Sequence, residues 1–172
     1  STRVRAEYST DASNYRVVPR VVVAPWDTDD LLAVHEVARA TGTPLTLRGA
    51  GTSVAGNAIG PGIVVDTSRY LTAIGEIDPE ARTAVVQPGV VMSALQQAAA
   101  PYGLRFGPDP STQNRATLGG MIGNNACGPR ALGYGRMADN VVSLDIITGE
   151  GELLTLGSDD LPELRSLVAA NL

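Results

Sequence analysis

Aromatic side chains make up only 4% of the 172 residues, so a core has to be assembled mainly from Val, Leu, Ile and Ala. There is one cysteine, Cys127. That excludes an internal disulfide and suits a reducing compartment without requiring one. One histidine, His35, with no close carboxylate partners argues against a zinc site. No apolar run reaches the length of a transmembrane helix, and the opening residues do not read as a cationic-plus-apolar leader. The net charge of −5 argues against a nucleic-acid binder, which would carry a basic face. These shortages point to a cytoplasmic protein, with a peripheral position at the inner face of the membrane as the alternative.

Apolar residues reach 44% against 18% charged, the balance of a folded globular chain. A chain of this length forms one domain or two small lobes and buries roughly 70% of its unfolded surface. Glycine is abundant, with 19 residues, and the glycines cluster. Glycine carries an entropic cost wherever it is placed, so clusters call for a reason.

Residues 1–16 are polar and punctuated by Tyr8 and Tyr15, and read as an irregular arm. Arg20 to Ala24 reads as a buried β-branched strand ended by Pro25. Asp27, followed three positions later by Asp30, opens a helix carrying Leu31, Val34, Val37 and Ala38 at helical spacing; Gly42 closes it. Leu45 to Leu47 and Ile63 to Asp66 read as further strands. Strand, helix, strand, glycine loop, strand implies an α/β lobe with parallel pairing. Beyond it, Leu71 to Ile77 and Thr83 to Gln87 read as a hairpin turning at Asp78-Pro79-Glu80-Ala81. Val91 to Ala100 reads as a helix. Asn140 to Thr148 and Glu152 to Leu156 form a second hairpin, and Leu161 to Leu172 a short amphipathic helix. The fold class is therefore α+β: a small N-terminal α/β lobe, residues 1–68, and a larger lobe, residues 69–172, with mainly antiparallel sheet flanked by helices.

Two segments carry the chemistry. Arg48-Gly49-Ala50-Gly51-Thr52-Ser53-Val54-Ala55-Gly56-Asn57 follows a strand directly. Gly49, Gly51 and Gly56 can take positive φ and turn successive N–H groups into an anion-binding nest fit for a pyrophosphate. Thr52 and Ser53 add hydroxyl donors, and Arg48 supplies charge or braces the loop. Alone, the loop reads as well as a tight surface turn. It is no P-loop, because no lysine follows Gly56, and no Rossmann turn, because Gly60-Pro61-Gly62 cannot continue as a helix.

The second segment runs from Pro108-Asp109-Pro110-Ser111-Thr112 through Thr117-Leu118-Gly119-Gly120-Met121-Ile122-Gly123-Asn124-Asn125-Ala126 to Gly133-Tyr134-Gly135. Its glycines let a flat ring or phosphate approach the backbone. Asn124 and Asn125 offer amides that both donate and accept, which suits the edge of a heterocycle.

Together these residues resemble the FAD domain of the vanillyl-alcohol-oxidase and p-cresol-methylhydroxylase superfamily. The runs Arg5 to Arg16 and Cys127 to Gly135 are similar to its bacterial D-lactate, glycolate and D-2-hydroxyglutarate dehydrogenases, including those fused to iron–sulfur modules. The resemblance implies FAD as cofactor, with Gly49, Ala50, Gly51, Thr52 and Ser53 at the pyrophosphate and Arg48, Gly56 and Asn57 at its margin. It implies Pro88, Gly89, Val90, Pro108, Asp109, Pro110 and Ser111 beside the flavin. Thr117, Gly119, Gly120, Gly123, Asn124 and Ala126 would meet the ribityl and phosphate portion, and Asn140 to Val142 the adenine, largely through backbone.

Covalent members of the superfamily often carry histidine where this chain has Thr52, so non-covalent FAD is expected. His35 reads as a solvated or capping residue. In such enzymes hydride passes from the α-carbon of a small 2-hydroxy acid to the flavin, which supplies the hard chemistry. No catalytic base is recognisable here, and Arg105, Arg115, Arg130 and Arg136 read as structural before substrate-binding. The resemblance places the catalytic residues in a C-terminal substrate or cap domain. The chain by itself is therefore expected to hold flavin weakly and not to turn over. A stand-alone nucleotide-binding or interaction module is the competing expectation.

Overall fold

β-branched side chains dominate the three short strands of the first layer. The computed structural model describes residues 1–157. The helix expected over Leu161 to Leu172 lies outside them. β1 (Val21–Val23), β2 (Leu45–Arg48) and β3 (Ile63–Asp66) form a parallel sheet in the order β1-β3-β2. Ile63 stands opposite both Val21 and Leu45. All four residues of β3 are buried because it has a strand on each side. β1, expected to be buried, is instead an edge strand with Val21 exposed.

Parallel strands need a crossover, and α2 (Thr28–Thr41) provides it between β1 and β2. Its N-cap is Asp27, whose carboxylate accepts from the Asp30 N–H at 2.9 Å. Asp30 in turn accepts from the Trp26 N–H at 2.9 Å. Gly42 ends the helix in the left-handed conformation at φ 60°, its N–H bonded to helix carbonyls. Leu31, Val34 and Ala38 pack on Val23, Leu45, Ile63 and Val65. Each fully buried aliphatic there contributes about 1.5–3 kcal/mol. At the carboxyl end of this sheet Trp26 stacks on Tyr70, with ring centroids 4.2 Å apart and planes at 12°.

The second part is antiparallel. β4 (Ile74–Asp78) and β5 (Thr83–Val86) form one ribbon, turning where the Asp78 carboxylate accepts from the Glu80 and Ala81 N–H groups. β6 (Ser143–Ile147) and β7 (Leu153–Gly157) form another. The α+β class holds, and among the described residues the antiparallel strands form these two separate ribbons, with isolated antiparallel bridges at Thr10–Arg16 and Val91–Thr117. α3 (Met92–Ala99) is the expected helix. Met92 and Leu95 on it pack with Val90, Ala116, Leu118, Met121 and Met137 into the second apolar cluster.

Two segments expected to be irregular are helical. α1 (Thr2–Glu7) starts on the Ser1 hydroxyl and carries an Arg3–Glu7 pair at 2.8 Å. It buries no side chain, so local propensity and capping outweigh the tyrosine punctuation that suggested an arm. The glycine-rich stretch Leu118–Gly123 is α4. Leu118 and Met121, one turn apart, are buried in the second cluster, and that packing overrides the poor helix propensity of three glycines. α5 (Ala131–Tyr134) and a 3₁₀ turn at Met137–Asn140 complete the segment. No described helix is long and apolar enough to cross a membrane.

Candidate functional site

Open parallel sheets bind ligands beyond the carboxyl ends of their strands. The first glycine loop leaves β2 at that end. Its three glycines serve different purposes. Gly51 and Gly56 adopt φ of 67° and 81°, where a side chain would be strained. Gly49 does not take positive φ; there a Cβ would stand 2.0 Å from Thr117 Oγ1, so glycine is needed for room. The Ser53 hydroxyl accepts from the Ala55 and Asn57 N–H groups, both at 3.2 Å, which leaves its proton free to donate. Thr52 is half-buried and Ala50 exposed. Arg48 braces the loop. Its Nη1 donates to the Thr10 carbonyl at 2.9 Å and the Ala58 carbonyl at 3.1 Å.

The second segment is brought to the first. Asn57 Nδ2 donates to Asn124 Oδ1 at 2.6 Å. Thr117, 2% exposed, lies between the loops. A Cβ on Gly120 would approach its hydroxyl to 3.2 Å, and Gly49 faces it from the other loop. Thr117 Oγ1 is a buried polar atom with no hydrogen-bond partner. An unpaired buried hydroxyl costs about 1–3 kcal/mol. A bound molecule or an ordered water could satisfy it.

Pro88, Gly89 and Val90 run beside this point. The Leu118 N–H donates to the Val90 carbonyl and the Gly119 N–H to the Pro88 carbonyl, both at 2.8 Å. A Cβ on Gly119 would meet Pro88 Cβ at 2.6 Å. Pro108 is fully buried, Pro110 half-buried and Ser111 exposed. Asp109 is flanked by Arg130 at 3.6 Å and Arg105 at 3.7 Å. Gly123 and Asn124 are exposed at the end of α4, and Ala126 packs under it on the second cluster. The Asn140 amide donates to the Tyr134 and Arg136 carbonyls, each at 2.8 Å, so its side chain holds its own turn. Val142 is exposed. Cys127 is exposed. His35 lies in α2, near the β6–β7 turn, where Arg39 donates to the Glu150 carbonyl at 2.5 Å.

The family pattern described as FAD binding domain matches residues 19–157. This chain belongs to that family. Its relatives include D-2-hydroxyglutarate dehydrogenase of Escherichia coli, 40% identical over 153 residues, which cover 87% of this chain and 15% of that protein. Glycolate oxidase subunit GlcD of Escherichia coli is 38% identical over 151 residues, covering 87% of this chain and 30% of the relative. The FAD binding domain thus spans well under half the length of these relatives. The crystal structure of 6-hydroxy-D-nicotine oxidase from Arthrobacter nicotinovorans shares the fold at a TM-score of 0.79. It is 23% identical, with 93% of this chain and 35% of that one covered.

FAD is the cofactor of this domain, and the residues present suit it. A glycine loop with positive φ at Gly51 and Gly56, a second segment that approaches it closely at Gly49, and an unsatisfied hydroxyl between them are compatible with a cofactor that carries phosphates and flat groups. Sequence reasoning missed the N-terminal residues that shape the first loop. Asp11 accepts from the Ser13 N–H at 2.8 Å and the Ala58 N–H at 3.3 Å. Tyr8 donates to the buried Asp66 carboxylate, and the Arg48 guanidinium lies 5.1 Å over its ring. Burial, with the Asp66 hydrogen bond added, pushes the Tyr8 phenol up to about 12. For Asp11 burial alone would push the carboxyl up. The Ser13 and Ala58 hydrogen bonds and the Arg48 charge outweigh it and leave the group below its ordinary value. The only available signal was the resemblance of Arg5 to Arg16, which marked the segment without giving it a task.

Proposed function

We propose that this chain is the cofactor-holding portion of a flavin-dependent oxidoreductase that oxidises a small 2-hydroxy acid. The buried, unpartnered Thr117 hydroxyl between the two glycine segments carries the reading. The N–H groups of residues 49–53 would hold the pyrophosphate, with the Ser53 proton available to donate. Thr117, Gly119, Gly120, Gly123, Asn124 and Ala126 would hold the ribityl and phosphate portion, and Pro88 to Val90 with Pro108 to Ser111 the flavin side. Asn140 to Val142 would border the adenine through backbone. Bound FAD supplies a two-electron acceptor for hydride. This chain's own residues would hold and orient it, and close approach of backbone on glycine would exclude water from the phosphates.

The substrate reading rests on the names of the relatives, D-2-hydroxyglutarate dehydrogenase and glycolate oxidase subunit. The base and carboxylate anchor would come from a substrate domain beyond this segment, and the boundary between the two lobes would fall near residue 68. Thr52 makes attachment non-covalent, and a cytoplasmic setting fits the composition. The test is a spectrum. Purified protein should be yellow or take up added FAD in a fluorescence titration, and acid precipitation should release all of it. In the full-length parent, adding D-2-hydroxyglutarate or glycolate should bleach the flavin band. Colourless protein that takes up no FAD would overturn the reading.

A further inference from the structure

A loop that must present several N–H groups to one anion loses affinity if it has to be ordered at the moment of binding. The first glycine loop contains no strand or helix between Arg48 and Ile63 to order it. Its order comes from the N-terminal segment. The Arg48 guanidinium bonds the Thr10 and Ala58 carbonyls, tying the loop's beginning and end to one point. The same guanidinium lines Gly51, where a Cβ would fall 2.5 Å from Nη2. The Ala12 N–H donates to the Gly51 carbonyl at 3.0 Å. The Asp11 carboxylate takes the Ala58 N–H, and the Tyr15 ring covers Gly56, 3.0 Å from where a Cβ would be. The loop is thus held at residues 48, 51, 56 and 58.

We propose that Asp11 and Arg48 are positioning residues for FAD: with the bend at residues 10–16, closed by the Thr10–Arg16 bridge, they form a clasp that sets the pyrophosphate loop before the cofactor arrives. The inference rests on the proposed function, adds Asp11 to the residues expected around the cofactor, and gives Arg48 a bracing role there. Arg48 braces the loop through Nη1, which serves both carbonyls. Lysine lacks the flat guanidinium that lies over Tyr8 while its edge reaches Gly51 and the two carbonyls.

The experiment titrates the 172-residue chain and its Asp11→Asn and Arg48→Lys variants with FAD, ADP and riboflavin. Melting temperatures of the ligand-free proteins are recorded alongside. Both variants should bind FAD and ADP about tenfold or more weakly, since Asp11→Asn replaces a charged acceptor by a neutral one and Arg48→Lys removes the planar group that spans Tyr8, Gly51 and the two carbonyls. Riboflavin, which has no pyrophosphate, should bind as before. A clasp that merely supports the fold would instead lower all three affinities and the melting temperature together, which overturns the inference. Wild-type binding matched by both variants also overturns it and leaves the proposed function standing. Wild type that takes up neither FAD nor ADP overturns both. Should a variant fail to fold, amide exchange on ligand-free wild type decides. The Ala12 and Ala58 N–H groups should be protected, and free exchange there sinks the clasp.

Discussion

The two glycine-rich segments answer the same demand, a backbone that comes close to a ligand, by opposite means. The first is irregular and is held from outside by polar contacts of the N-terminal segment. The second is partly helical and sits on the larger apolar cluster, with Leu118 and Met121 pointing into it. The glycines of α4 lie outside the positive-φ region, and Gly119 among them is needed for space against Pro88. One region borrows its shape from hydrogen bonds to charged groups, the other from packing. Damage to the first should therefore appear in ligand binding, and damage to the second in stability.

Met137, 1% exposed beneath the second segment, offers the strongest way to separate them. Met137→Ala should destabilise the protein by about 2–5 kcal/mol in a denaturant titration, more than any change in the N-terminal clasp. Next comes Gly119→Ala. The added methyl meets Pro88 at 2.6 Å, and overpacking of this kind costs about 1–3 kcal/mol. Gly123, on the same helix, has open space around the missing Cβ. Gly123→Ala should leave stability unchanged or raise it by up to about 1 kcal/mol, while lowering FAD affinity if the cofactor passes there. Equal losses in these two glycine variants would break the distinction between space for packing and space for ligand.

The smallest expected effects are acid–base. The folded value of Asp11 lies below the ordinary 3.8. Its contribution should be present above that pH and fade as pH falls through the folded value, a dependence absent in Asp11→Asn melting curves. Tyr8 runs the other way. Its contribution is intact below the ordinary value of 10.0 and is lost as pH rises towards about 12. Phenolate absorbance should show a late component that Tyr8→Phe removes.

Much of the layout was legible because it is local. Runs such as Val21–Val23 and Ile63–Asp66 are β-branched, and Asp27 and Gly42 bracket α2 with a cap at each end. The glycine loops could be read as cradles because few other roles need so many glycines together. What escaped depends on partners distant in sequence. The clasp joins Thr10 to Arg48 across 38 positions by a side chain reaching a carbonyl, a contact with no periodicity. The helix at 118–123 exists because a core formed elsewhere receives Leu118 and Met121. Gly49 looked like a residue chosen for its torsion angle. Only the proximity of Thr117 reveals that it is chosen for its size.

The Trp26–Tyr70 stack has a practical bearing on all of these measurements. The chain has a single tryptophan, so tryptophan emission, excited selectively beyond the tyrosine band, is a one-point optical gauge located where β1 and β3 end. Fluorescence will follow the melting of the parallel sheet, whereas circular dichroism sums over both halves. Coincident curves from the two signals would show that the halves unfold as one cooperative unit. Separated curves would assign each transition to its half without any labelling.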